Sequence, residues 1–418
     1  MLDAPPKESE ALSWIYVVTG ALVIYCTIPV ARTLREVVRE NFGLKYFLYV
    51  TVVLVILAGF VAFRNLHKRG LPLSAKLSLI TIFAAFLIYI YELRDIPEEA
   101  IHVAEYGILG LLVYRALTHR IRDFNIYIVA TLLVGMIGIA DEYIQWLIPS
   151  RYFDLRDIRT NFIAGALAQL AIVAGLRPKM ISGFPGSKSW SRVCYFSAAA
   201  MLLMALGFMN TPPRIAWYAT KVPMMSYLMN SKSMMVEYGY IYDDPDIGIF
   251  RSRFSMDQLR QLDQERGVEV AKILDHYIRG EGYKNFQSIY SVIRDAYAHE
   301  AGVHLFRREF HIDRAREKTD KQAEHYAIAY YEDQFLERYF PGALRNSKHN
   351  WSQKVKEEVS KNALKMDYYE SSVSKGVITR MSEYQIMFFF VVMIIVLVYT
   401  GFHLGRLSQM NQITETTK

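Results

Sequence analysis

Eight apolar runs, at 12–31, 46–63, 75–91, 98–117, 125–148, 159–176, 190–209 and 384–405, are each close to the length a helix needs to cross a bilayer. In hydrocarbon every backbone polar group must find its partner within the segment, so runs of this kind fold as helices. That constraint sets the expected class, an α-helical polytopic membrane protein of about eight spanning helices. A long polar interval separates the last two runs and predicts a mainly helical soluble domain. Composition agrees: 52% of residues are hydrophobic, yet 21% are charged, too many for a chain lying wholly in lipid. The expected organisation is N-terminal spanning helices at 1–74, a membrane domain at 75–180, a seventh span at 181–210, the soluble domain at 211–382 and a C-terminal anchor with a short tail at 383–418.

Lys and Arg near the span ends set the orientation. With the N-terminus inside, Arg64, Lys68, Arg69, Lys76, Arg115, Arg120, Arg122, Arg177, Lys179, Lys188 and Arg192 fall on the cytoplasmic side. Arg32, Arg35, Arg39 and Lys45, read as a first outer loop, run against the rule. On balance both termini are expected in the cytoplasm, with the corner around 141–161 and the domain at 211–382 outside. The acidic start (Asp3, Glu8, Glu10) lacks the basic region of a secretory signal, so the first run reads as an uncleaved helix. A net charge of +7 suits anionic lipid and, with no nucleic-acid motif present, carries no expectation of nucleic-acid binding. Cys26 and Cys194 lie in apolar runs and read as small buried hydrophobes.

Three polar clusters interrupt the spans. A carboxylate near the middle of a spanning helix costs on the order of 3 kcal/mol, so such residues mark a site. His102 and Glu105 share a helix face, with Tyr106 beside them. Asp141, Glu142 and Gln145 form a second group near the end of the fifth span. After Pro149, Arg151 has the fork geometry to pair with a carboxylate or an anionic ligand. Asp154 and Asp157 begin the sixth span, where carboxylates offset the helix dipole, and Asn161 follows on the same face as Asp157. Tyr106 and Gly165 read as packing residues. Glu105 and Asp141 are the candidates for acid–base chemistry, while His102, Glu142, Gln145, Arg151, Asp154, Asp157 and Asn161 are candidate ligand-binding residues. A metal is not expected, because a Glu-x-x-His element occurs only once and reversed. No cofactor is expected either.

The pattern H-x-x-E-Y…D-E-x-x-Q-x-x-x-P-x-R-x-x-D-x-x-D-x-x-x-N-x-x-x-G, from His102 to Gly165, resembles the signature of the VanZ-like family of bacterial membrane proteins, over about 75–175. The resemblance implies a cell-envelope protein of the bacterial cytoplasmic membrane, with a link to teicoplanin-type glycopeptide resistance or envelope maintenance. It implies no particular reaction. The expected function is binding of a lipid, or a lipid-tailed anionic molecule, in an outward-facing polar pocket. One alternative is a membrane-embedded enzyme with Glu105 or Asp141 as general base and Arg151 stabilising negative charge. Another is an assembly subunit whose domain at 211–382 docks a protein partner.

Within 211–382, residues 234–242 and 247–254 predict a hairpin around Asp243–Asp246. Ser255 and Gln258 fit a capping box that opens a helix to about Ile278. Gly280 and Gly282 break the chain, and helical patterns follow at 285–298, 313–339 and 351–374. His299-Glu300 and His304 resemble a zinc-protease helix, but an i, i+5 spacing turns the two rings about 140° apart and Gly302 is expected to interrupt the helix. Arg307, Arg308, Arg314 and Arg316 suggest an anion-binding surface.

Overall fold

A computed structural model describes residues 7–149, 151–231, 233–278, 282–317, 321–373, 375 and 378–416, with side chains as far as Met410. The chain divides into two compact units, Met1–Gly207 with Phe388–Lys418, and Phe208–Met387.

The first unit begins with α1 (Glu10–Phe42), α2 (Lys45–Lys68), α3 (Leu73–Glu92), α4 (Ala100–Leu117), α5 (Asn125–Trp146), α6 (Leu155–Leu170) and α7 (Ser187–Phe208). Residues 93–99 pass through two short 3-10 turns into α4, and α6 continues as a π-helical stretch to Leu176. Arg177, at φ 45°, ends it. Arg32, Arg35 and Arg39 do not form the loop expected of them. The first helix runs on through them to Phe42, because Arg35 is matched by Glu98 (2.9 Å) and Arg39 by Glu36.

Helices α4, α5 and α6 pack most closely, and glycines set their spacing. A Cβ at Gly135 would lie 2.0 Å from the Phe162 ring, one at Gly138 2.7 Å from Asn161, and one at Gly165 2.8 Å from Val134. Helices surrounded by lipid gain little from the hydrophobic effect, so close backbone approach and polar bonds hold them together. Gln169 supplies one such bond, donating to the Gly110 carbonyl at 2.9 Å.

The second unit contains α8 (Pro212–Lys221), β1 (Tyr240–Asp244), β2 (Gly248–Ser252), α9 (Met256–Tyr277), α10 (Gly282–Ile289), α11 (Ala296–Arg316), α12 (Gln322–Tyr339), α13 (Pro341–Arg345) and α14 (Gln353–Asn362). The capping box at Ser255 forms as expected, with both reciprocal bonds present. α15 (Glu383–Thr416) closes the chain. Among the described residues eight helices, α1 to α7 and α15, are long and apolar enough to cross a membrane.

Several expected boundaries move. The antiparallel hairpin starts at Tyr240, not 234, and Glu237 instead bridges to Ile378. Asp243 and Asp244 belong to the strand rather than the turn. The Asp244 carboxylate, held by Arg338 (2.5 Å) and Tyr339 (2.8 Å), takes the Asp246 N–H and closes the bend itself. The helix expected at 285–298 is two: α10 ends at Ile289, and Asp295 caps α11 by accepting from the Ala298 N–H. The single helix expected at 313–339 is likewise split between α11 and α12. α14 stops at Asn362, short of the expected 374, because residues 369–371 pair with Ile249 of β2. Ser374 and Gly280 lie outside the described residues.

Gly302 does not interrupt α11. It is buried within the helix because the Phe286 ring seats on its bare Cα, where an added Cβ would stand 2.2 Å away. Gly302→Val is therefore expected to overpack this contact at a cost of about 1–3 kcal/mol. Faster hydrogen exchange across α10 and α11 in the full-length protein measures it, and unchanged protection would contradict the contact.

Candidate functional site

A cavity of about 400 Å³ lies in the first unit between α1, the turn before α4, α4 itself, the end of α5 and the start of α6. His102, Glu105, Asp141, Gln145, Arg151 and Asp157 all line it. Six candidates separated by as many as 55 positions (102 to 157) thus meet around one space.

Asp141 is its best-fixed member. The side chain is wholly buried, and its Oδ2 accepts from the Tyr106 hydroxyl at 2.9 Å. Its Oδ1 takes no hydrogen bond from the chain. Asp157, 8% exposed, likewise leaves Oδ1 without a donor. His102 Nδ1 stands 3.3 Å from Glu105 Oε2, at ion-pair distance but without hydrogen-bond alignment.

Gln145 relays the network. Its amide nitrogen donates to Glu142 Oε1 (2.7 Å), and its carbonyl oxygen accepts from Arg151 Nε (3.1 Å) and Nη2. Arg151 therefore does not pair with Glu142 directly. Glu142 instead accepts the Asp154 N–H at 2.9 Å, tying the end of α5 to the start of α6. Asp154 caps α6 through the Arg156 N–H and pairs with the Arg156 side chain at 2.6 Å. Asn161 is buried against Gly138, with neither amide atom hydrogen-bonded. Glu142, Asp154 and Asn161 thus lie among the helices, not on the cavity wall.

Other contributors were not foreseen. Tyr106 is a hydrogen-bond donor to the site and not packing alone. α1 supplies Ile24, Ile28, Arg32 and Arg35, and the turn before α4 supplies Glu98 and Glu99. The α1 residues recur at helical spacing on one face, a signal available in the sequence but masked by reading 32–39 as a loop. Among the described residues lining the cavity there is no Ser or Cys; Thr27 carries its one aliphatic hydroxyl.

In the second unit the arginines expected to form an anion surface each stand beside a carboxylate of the chain, Arg308 in the interior and Arg314 and Arg316 at the surface. Arg308 is fully buried, bonded to Asp333 (2.5 Å) and Glu309 (2.6 Å) and stacked over Trp351 at 4.2 Å. Arg314 pairs with Glu317 and Arg316 with Glu358, each at 3.1 Å. Arg307 faces Glu332 at 3.3 Å. His299 bonds the Tyr290 carbonyl and His304 bonds Glu332, so the two rings serve different partners. Among the described residues no group of three His, Cys, Asp or Glu is placed to hold a metal.

Comparison of the chain with protein-family models, curated proteins and solved structures finds no match.

Replacing Tyr106 with Phe leaves the second oxygen of Asp141 with only the longer 3.4 Å bond from the Gln145 amide nitrogen. An interhelical bond in a membrane contributes roughly 0.6–2 kcal/mol, so a stability loss of about that size is expected in detergent unfolding of the purified protein. Equal stability would remove Tyr106 from the site.

The second unit has a separate pH response. His311 Nδ1 lies 2.8 Å from His325 Nδ1, and burial, with Arg307 and His325 nearby, pushes His311 from the ordinary 6.5 down to about 4. His299 is also lowered, first by burial and then by Arg253. The unfolded chain binds more protons in this range, so the stability is present above about 6.5 and is lost as pH falls toward 4. Protection of α11 and α12 in the full-length protein should fall between pH 7 and 5, with a shallower slope for His311→Gln. A flat wild-type profile would contradict the assignment.

Proposed function

We propose that this protein binds the headgroup of a membrane lipid, or of a lipid-tailed anionic molecule, in the cavity beside Asp141. The reading is supported most by one observation. Two buried carboxylates, Asp141 and Asp157, each leave an oxygen without a donor on a cavity that also carries Arg32 and Arg151. A buried polar atom left unsatisfied costs about 1–3 kcal/mol, more when charged, and a bound ligand can supply the missing donors. The α1 wall is apolar at Ile24 and Ile28 and becomes cationic one turn later at Arg32, an order that suits a tail below a headgroup.

The wider assignment follows from the motif. The protein is a VanZ-like member of the bacterial cytoplasmic membrane with an envelope-maintenance role that includes tolerance of teicoplanin-type glycopeptides. With eight crossings, both ends of the chain share one side in this reading. The Lys and Arg balance makes that side cytoplasmic, so the 147–154 corner and the 211–382 domain face outward. The domain, soluble in this reading, is where a protein partner would dock.

The test is lipid co-purification with single variants Glu105→Gln, Asp141→Asn and Arg151→Gln, each checked for a wild-type melting profile. Native mass spectrometry is expected to show retained lipid reduced at least fivefold for Asp141→Asn and Arg151→Gln. Full retention in folded variants would refute the reading. Lipid retained but no longer converted to product would move the assignment to an enzyme using Glu105 or Asp141.

A further inference from the structure

The charge on the cavity wall does not match a purely anionic guest. Carboxylates come from Glu98, Glu99, Glu105, Asp141 and Asp157, against arginines at 32, 35 and 151 and one histidine. Two of the arginines are already occupied in part. Arg35 pairs with Glu98 at 2.9 Å, and Arg151 places Nε and Nη2 on the Gln145 amide oxygen. Among the atoms left without a hydrogen bond are Arg35 Nε, His102 Nδ1 and Glu98 Oε2, but those in side chains more than nine-tenths buried are two acceptors, Asp141 Oδ1 and Asp157 Oδ1.

Position along the helices separates Arg151 from Asp141 and Glu105. Asp141 lies five residues before the end of α5 and Glu105 five residues after the start of α4, so each sits roughly 7–8 Å inside its helix end. Arg151 lies in the connection beyond α5, outside that depth. The wall thus carries the Arg151 guanidinium in the connection and the Glu105 and Asp141 carboxylates within the bundle, with Asp157 between them at the third residue of α6; Glu98 and Glu99, in the turn before α4, have Arg35 and Arg156 beside them.

Building on the lipid-headgroup reading, we propose that the headgroup is zwitterionic. Its phosphate pairs with Arg32 and Arg151, and its primary ammonium reaches Asp141, Asp157 and Glu105. An ammonium brings three N–H donors and one positive charge, answering both the missing donors and the surplus carboxylates. A trimethylated ammonium brings charge without donors, and a glycerol headgroup brings donors without charge.

The experiment is lipid titration of the full-length protein in nanodiscs, comparing phosphatidylethanolamine, phosphatidylglycerol and phosphatidylcholine, with free phosphoethanolamine as a fourth ligand. Phosphatidylethanolamine should bind about tenfold more tightly than the other two lipids, a difference of about 1.4 kcal/mol. Asp141→Asn, which keeps an acceptor for Tyr106, should erase that preference. Arg151→Gln should weaken phosphatidylethanolamine and phosphatidylglycerol by similar factors and leave their ratio intact. Equal or tighter wild-type binding of phosphatidylglycerol, still weakened by Arg151→Gln, overturns the ammonium assignment and leaves the lipid site standing. Binding of every lipid unaffected by both substitutions overturns the site itself. Free phosphoethanolamine binding as tightly as the lipid overturns the lipid as carrier of the headgroup.

Discussion

The hydrogen bond from Tyr106 to Asp141 joins α4 to α5 between two wholly buried side chains, and the rest of the polar network is laid out from it. Gln145, one turn beyond Asp141, turns its amide nitrogen toward the carboxylates and its oxygen toward Arg151. Glu142 then carries the chain of contacts to the first residues of α6. None of this would close without the small residues alongside. Gly138 leaves room for Asn161, and Gly165 for Val134, so α6 lies near enough for backbone at 154 to reach a side chain on α5. The polar bonds fix register, and the glycines permit the distance at which those bonds form.

The spans were legible because the bilayer permits little besides helices, and length with apolarity is a sufficient signal. The polar faces were legible for a related reason, since charge in such a helix is too costly to be incidental. What escaped notice depended on partners far away in sequence. The extension of α1 through Arg32 and Arg35 rests on Glu98, some sixty residues on, so local sequence reads as a charged loop. Tyr106 looks like packing until Asp141 is placed opposite it. The hairpin offset and the short α14 share one cause: residues near 237 and 369–371 take backbone partners at Ile378 and Ile249, and no local propensity announces those pairings. Gly302 is the converse case. A residue that disfavours helix in isolation sits inside one because Phe286 requires its missing side chain.

The carboxylates of the first unit fall into two kinds. Glu142 has its oxygens on the Gln145 amide and the Asp154 N–H, and Asp154 on the Arg156 N–H and side chain, which is how a structural carboxylate behaves. Asp141 and Asp157 are buried, each leaves Oδ1 without a donor, and both line the cavity. A fold selected only for stability gains nothing by burying an acceptor without its donor, because the desolvation penalty is incurred without return. The division within one cluster of acidic residues is what separates scaffold from site, and neither spacing nor residue type would have drawn it.

The second unit shows the alternative arrangement in the same chain. Its buried Arg308 is matched by Asp333, Glu309 and the His349 carbonyl, and its buried Glu332 accepts from Tyr369 and Ser371 and bonds His304. These side chains have the same chemistry as those of the cavity, yet their partners are internal and close, so they act as struts. Sequence alone offers an anion Arg151 and the arginines of α11. The structure makes Arg308 of α11 a strut and leaves Arg32 and Arg151 facing the cavity beside Asp141, one on a helix extension and one in an eight-residue connection between α5 and α6. Arginine count therefore says little about where an anion is held, and the decisive quantity is how much of each guanidinium the protein's own carboxylates have already occupied.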